Sequence, residues 1–291
     1  MEIDKSYKHY LDTSILRPFL FGTKVFKKYL ISQLGRERLY ISKFIQMEFK
    51  RSYLLNIISF YFVIQLSTMK TVDDAFRFWS NKYQGHQLKA ILQLVGEIIE
   101  SREIDINNPN DKPKALRQLG RYIKRIEYKL RREFKVPGQN STRCERAEIS
   151  LKADPENMAI GFKDYLNAFD DTKSCRDKCR VDHFLLTKFS SELKTYIEYA
   201  DKLKKNNETK AFKKIAGYLK KIVENGENVC SCRMCGYIGD AIIALEAPAD
   251  MRLEHIDRAF DYLCKPINQP HKRHPSEISY IKNLEATNCP P

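Results

Sequence analysis

Strand-like sequence is confined to the two ends of this chain. Residues 7–11 (YKHYL) and 38–42 (RLYIS) are short β-prone runs near the start, and the next such run is 251–256 (MRLEHI). From Thr71 to about residue 225 the apolar residues recur at the helical period, and only helices are legible. A chain of 291 residues has room for about two domains or one enlarged one. The pattern therefore predicts an α/β fold drawn from both ends, with a long helical middle.

Helix boundaries are marked locally. Asp12-Thr13-Ser14 ends the first β-prone run and can cap a following helix. Another helix begins near Lys43, with Phe44, Met47, Leu54, Leu55 and Ile58 on its period. Thr71 with Asp73 and Asp74 opens a third, residues 112–135 read as a basic amphipathic helix, and Asp154-Pro155 is an N-cap followed by proline at the first helical position. Residues 181–205, 209–224 and 240–246 complete the helical set, with loops at 107–111 (NNPND) and 136–141 (VPGQNS).

Composition narrows the function classes. The 43% hydrophobic, 30% charged and 11% aromatic fractions exclude a disordered or collagen-like chain. Lys+Arg total 51 against 37 Asp+Glu, a net charge of +14, which favours a polyanionic partner, nucleic acid above all. Residues 53–66 are apolar but short of the roughly 20 residues of a bilayer span, so a buried helix is expected and no membrane crossing. The opening MEIDKSYKHY carries charges where a signal peptide needs an apolar core. Without such a leader, eight cysteines read as reduced thiols in a cytoplasmic protein rather than a disulfide framework.

Four segments place a carboxylate at a strand end or a helix start beside apolar residues. They are LDTSIL with Asp12, IQMEFKR with Glu48, IGDAIIALEA with Asp240, and LEHIDRAF with Asp257. At the carboxyl ends of parallel strands such groups converge on one crevice. Converging carboxylates repel one another and call for a cation, and oxygen-only ligands suit Mg²⁺ or Mn²⁺. Asp261 and Glu246, also acidic, are read as surface residues.

These segments, in this order, resemble the PIN-domain nuclease family. The resemblance covers about residues 6–55 and 236–268. It implies a Rossmann-like central parallel sheet and metal-dependent hydrolysis of phosphodiester bonds, usually in RNA, with Asp12, Glu48, Asp240 and Asp257 as catalytic, metal-binding acids. Two departures stand out: His255 occupies the position two before the fourth acid, where the family usually has a hydroxyl residue, and the stretch between Glu48 and Asp240 is very long. The expected domains are therefore a PIN-like nuclease domain at 1–69 and 226–291, with a mainly α-helical insertion at 70–225. Family habit further implies a toxin or phage-defence role, with an inhibitory or regulatory protein partner. The competing readings are a catalytically inactive PIN-like scaffold that binds RNA or protein, and a DNA nuclease.

Two further patterns remain. Cys175 and Cys179, spaced four apart, and Cys232 and Cys235, a C-x₂-C pair, are candidate ligands for a structural Zn²⁺, with Cys230 or His183 as substitutes. Residues 112–135 carry ten basic side chains, of which Arg117, Arg121, Lys124 and Arg125 are the candidate nucleic-acid contacts. Lys202 to Lys221 form a second basic cluster. Tyr122, Tyr128, Tyr199 and Tyr218 are interleaved where bases could stack. A basic amphipathic helix can also lie on a membrane surface or meet an acidic protein.

Overall fold

All three β-prone runs become strands, and every strand pairing is parallel. The computed structural model describes residues 7–35, 39–83, 85, 88, 91–92, 94–96, 104–137, 146, 149–151, 158–170, 180–226 and 232–288. The chain begins β1 (Lys8–Leu11), α1 (Thr13–Phe21), α2 (Lys24–Leu34), β2 (Leu39–Tyr40), α3 (Lys43–Phe49), a π-helical turn (Lys50–Leu54) and α4 (Leu55–Gln65). It continues through α5 (Val72–Lys82), α6 (Lys112–Arg132), α7 (Met158–Asp170), α8 (Val181–Lys188), α9 (Ser190–Lys202), α10 (Lys210–Asn225) and α11 (Cys232–Tyr237). The last elements are α12 (Gly239–Glu246), β3 (Met251–His255), α13 (Ala259–Cys264), β4 (His271–Arg273) and α14 (Glu277–Asn288).

Contacts divide the chain into two units. Residues 1–46, 133–148 and 171–291 contain the sheet, while 47–132 and 149–170 are helical where described. These limits differ from the expected boundaries at 69/70 and 225/226. Helices α8, α9 and α10 belong with the sheet, where α10 packs on α9 and α13, and α4 belongs to the helical unit. An amphipathic period marks an apolar stripe but does not say which neighbour covers it.

In the sheet unit the strand order is β2-β1-β3-β4. β1 is central, and His9, Tyr10 and Leu11 are all buried, as expected for a parallel strand covered on both faces. It pairs Leu11 with Glu254 on β3 and Tyr10 with Tyr40 on β2. β4 had no sequence signal: it is three residues of charged and polar side chains, extended because it pairs with β3 (His255 opposite Arg273). The helix expected over 181–205 is broken at Phe189, a buried residue with φ −135° and ψ 27° that separates α8 from α9.

Asp12 ends β1 and starts α1, its carboxylate accepting from the Ile15 N–H at 3.0 Å. At the other end of α1 the Gly22 N–H donates to the Pro18 carbonyl at 2.7 Å, and a Cβ on Gly22 would stand 2.5 Å from that oxygen. Gly22→Ala must push backbone against backbone. Urea denaturation should show a stability loss of about 1–3 kcal/mol, the usual scale of overpacking.

The helical unit is built around α4, with Phe60 edge-on to Trp79 and Tyr61 edge-on to Phe162. The buried-helix expectation for residues 53–66 therefore holds, and among the described residues no helix is long and apolar enough to cross a membrane. In the π-helical turn the buried Lys50 ammonium donates to the Ile149 carbonyl at 2.8 Å and faces the Glu127 carboxylate at 3.5 Å. Burial, with Glu127 nearby, raises the Tyr165 hydroxyl well above its ordinary range.

Candidate functional site

A parallel sheet brings the carboxyl ends of its strands to one edge. Here the chain leaves β1 towards β2 on one side, while β3 and β4 lie on the other, so the strand order reverses between β1 and β3. The crevice outside the carboxyl ends of two such strands is where open α/β sheets bind ligands. Asp12 is the first residue past β1, and Asp257 the second past β3. The Ser14 hydroxyl ties the two loops together: it donates to the Asp12 carboxylate at 2.8 Å and accepts from the Ile256 N–H at 2.9 Å. Asp12 is 3% exposed at the N-terminus of α1, whose dipole favours its charge. Asp257 is exposed and accepts from the Ala259 N–H at 2.9 Å, opening α13. Asp12 therefore caps α1, Asp257 precedes α13 by two residues, and both stand on the carboxyl edge.

Asp240 lies half-buried in the first turn of α12, which packs along α13. The opposite end of α12, at Leu245 and Glu246, lines a cleft of about 770 Å³ with Lys8 and Met251, the first residues of β1 and β3. Asp240 stands about 9 Å along the helix from that amino edge. Glu246 is only 3% exposed, so the surface role expected for it is incorrect; its carboxylate raises the already desolvated Tyr10 hydroxyl further. Glu48 belongs to the helical unit, just past the division that falls inside α3.

Comparison with protein-family models, with curated proteins and with solved structures found no match. The site's chemistry therefore rests on its own side chains.

A group that no sequence motif marked lies beside Asp257. His255 Nε2 is 3.0 Å from His271 Nδ1, and Asp261 Oδ1 is 3.7 Å and 3.8 Å from these two nitrogens. His255 is fully buried, and its Nδ1 contacts the Asp257 carbonyl at 2.9 Å. Burial, and then the neighbouring His271, push the His255 imidazole down to about 3, so it is neutral at pH 7. Burial also lowers His271, with Asp261 opposing. Asp261, expected at the surface, is half-buried in this cluster, its second oxygen paired with Arg273 at 2.5 Å. The available sequence signal was that four of the chain's six histidines fall in or beside β1, β3 and β4.

One residue earlier on β3, Glu254 projects to the other face of the sheet. Its two carboxylate oxygens accept from or pair with His9 and His274 at 2.7 Å each, and Arg252 Nε donates at 2.8 Å. Burial alone would raise this carboxyl; the hydrogen bonds from His274, His9 and Arg252 overcome it and hold the group well below the usual carboxylate range.

Some of the remaining candidates lie outside the described residues. Cys175 and Cys179 are not among the described residues; Cys232 is in α11, and Cys235 is a buried free thiol. Cys264 is another, its thiol raised by burial, then by Asp261 and Asp12. In the helical unit α6 buries Leu119, Ile123, Ile126 and Leu130 and turns Arg117, Arg121 and Arg125 outwards, with Lys124 half-buried and Tyr128 63% exposed. In the sheet unit the Tyr218 and Tyr237 rings stack at 4.9 Å, with the Lys214 ammonium 4.1 Å from the Tyr237 ring centre.

Proposed function

We propose that the sheet unit is a PIN-like nuclease that hydrolyses phosphodiester bonds in RNA, with Asp12, Asp240 and Asp257 as its cation-holding acids. The observation that carries this reading is the position of Asp12 and Asp257 at the carboxyl ends of β1 and β3, joined through Ser14 where the strand order reverses. The donor set fits the group it would hold, since carboxylate oxygens suit Mg²⁺ or Mn²⁺. Such an ion supplies Lewis-acid polarisation of the phosphate and a water acidic enough to attack at neutral pH.

The chain's own residues do the rest. Ile15 N–H and Ser14 hydroxyl fix the Asp12 carboxylate in direction. Asp257, exposed beside it, is the acid that an incoming phosphodiester meets at the mouth of the crevice. The net charge of +14 favours binding of the polyanion, and the outward Arg117, Arg121 and Arg125 of α6 offer phosphate contacts.

Incubating the purified chain with defined tRNA, mRNA and single-stranded DNA, in Mg²⁺, Mn²⁺ or EDTA, tests the reading. Cleavage of RNA that requires metal and leaves 5′-phosphate ends is the expected result. Cleavage of DNA with RNA left intact would make it a DNA nuclease, and equal cleavage of both a nuclease that does not read the 2′-OH. Intact RNA under every metal condition would leave a binding scaffold.

Binding is tested separately. Neutralised phosphates release counterions, so log K should fall with log salt by about 0.7 per contact on a single strand. Reversing Arg121, Lys124 and Arg125 to Glu should weaken binding across all sequences and flatten that slope. Unchanged binding would make the outer face of α6 merely solvated.

A further inference from the structure

Two histidine–carboxylate groups flank β3, and their geometries differ in kind. Around Glu254 each imidazole nitrogen sits 2.7 Å from a carboxylate oxygen and Arg252 completes the set, so that group is satisfied by hydrogen bonds. Around Asp261 the carboxylate oxygen stays 3.7 Å and 3.8 Å from the two imidazole nitrogens, too far for hydrogen bonds, while the three ligand atoms still fall within 4.8 Å of one another.

We propose that His255, Asp261 and His271 bind one divalent transition-metal ion of the zinc class, with a further coordination position open to water or a ligand.

Bonds of about 2.0–2.1 Å arranged tetrahedrally put neighbouring ligand atoms about 3.3 Å apart. The three separations here, 3.0, 3.7 and 3.8 Å, lie around that value. The Asp257 carbonyl can only accept, so His255 Nδ1 carries the proton and its Nε2 presents a lone pair to the cluster. Arg273 holds the outer oxygen of Asp261 and leaves Oδ1 facing the histidines, a supporting contact of the kind that orients metal ligands. Two imidazoles and one carboxylate suit zinc and its neighbours rather than Mg²⁺, which prefers oxygen throughout. His271 is 28% and Asp261 31% exposed, so the centre opens outwards, whereas His255 forms its closed wall. The site uses none of the three acids of the nuclease reading and does not depend on it.

Cobalt reports such a site by its colour. Chelator-treated full-length chain is titrated with Co²⁺ and followed by visible absorption, then challenged with Zn²⁺. Wild-type protein should develop visible bands that zinc abolishes. His271→Ala and Asp261→Asn should each weaken cobalt binding at least about 100-fold, the upper end of what losing a supporting contact costs. Both losses should appear whether or not any nuclease activity is found. Circular dichroism of Asp261→Asn, a near-isosteric change at a partly exposed side chain, confirms that the comparison is between folded proteins. Absence of visible bands in the wild-type protein would overturn the proposal. So would cobalt binding that both variants leave unchanged, in which case the two histidines share only a hydrogen bond.

Discussion

Glu254→Ala should cost the sheet unit about 3–5 kcal/mol, the scale of removing one partner from a buried ionic group. Domains are usually stable by only about 5–15 kcal/mol, so this single change should consume a large part of the reserve. The reason lies in what remains. His9 and His274 are buried, Arg252 is nearly so, and the alanine takes from all three the Glu254 oxygens they face. Glu254→Gln keeps the shape and one acceptor oxygen, and should cost about 1–3 kcal/mol, closer to one unmade hydrogen bond. Native-state hydrogen exchange of the β1 and β3 amides reads the loss, because buried interior strands are where opening costs approach the global value. A loss below about 1 kcal/mol for the alanine would mean that the network is dispensable and that packing alone holds the strands.

On the proposed nuclease reading, Asp12→Asn should abolish metal-dependent RNA cleavage, by at least about 100-fold, the cost of removing one preorganised charged group from a reacting site. Its fold should survive. Asparagine caps helices as well as aspartate does, and its side-chain oxygen can still accept from the Ile15 N–H and the Ser14 hydroxyl. Relieving repulsion between neighbouring acids can even raise stability slightly. Cleavage rates and unfolding curves of the same preparation separate the two effects. A variant that cleaves normally would remove Asp12 from the ion-holding set and, with it, the strongest support for the nuclease reading. Ser14→Ala gives a milder companion measurement, since it deletes the hydroxyl that joins the Asp12 and Ile256 loops without touching a carboxylate.

Local sequence determined the elements whose causes are local. β1, β2 and β3 form at the three β-prone runs, and Asp12, Thr71 and the apolar face of α6 mark helices where their spacing says they should. Asp12 and Asp257 were legible as candidates because each follows a strand and stands just before a helix. That they are neighbours was decided by the parallel pairing of β1 with β3, which no residue near either acid encodes.

Everything that depends on a partner distant in the chain had to wait for the tertiary structure. β4 is too short and too polar to carry a period, and it exists because β3 offers it an edge. That pairing brings His271 to His255, while α13 folds Asp261 back beside them, turning a histidine noted only as a departure, a second histidine and a supposed surface acid into one cluster. Glu246 and Glu254 look like ordinary charged residues in the sequence, and only packing shows that they are buried. The two units follow the same rule. Hydrophobic periodicity shows that a helix must cover one face, but which neighbour does so, and hence where the chain divides, depends on contacts that a one-dimensional pattern does not contain.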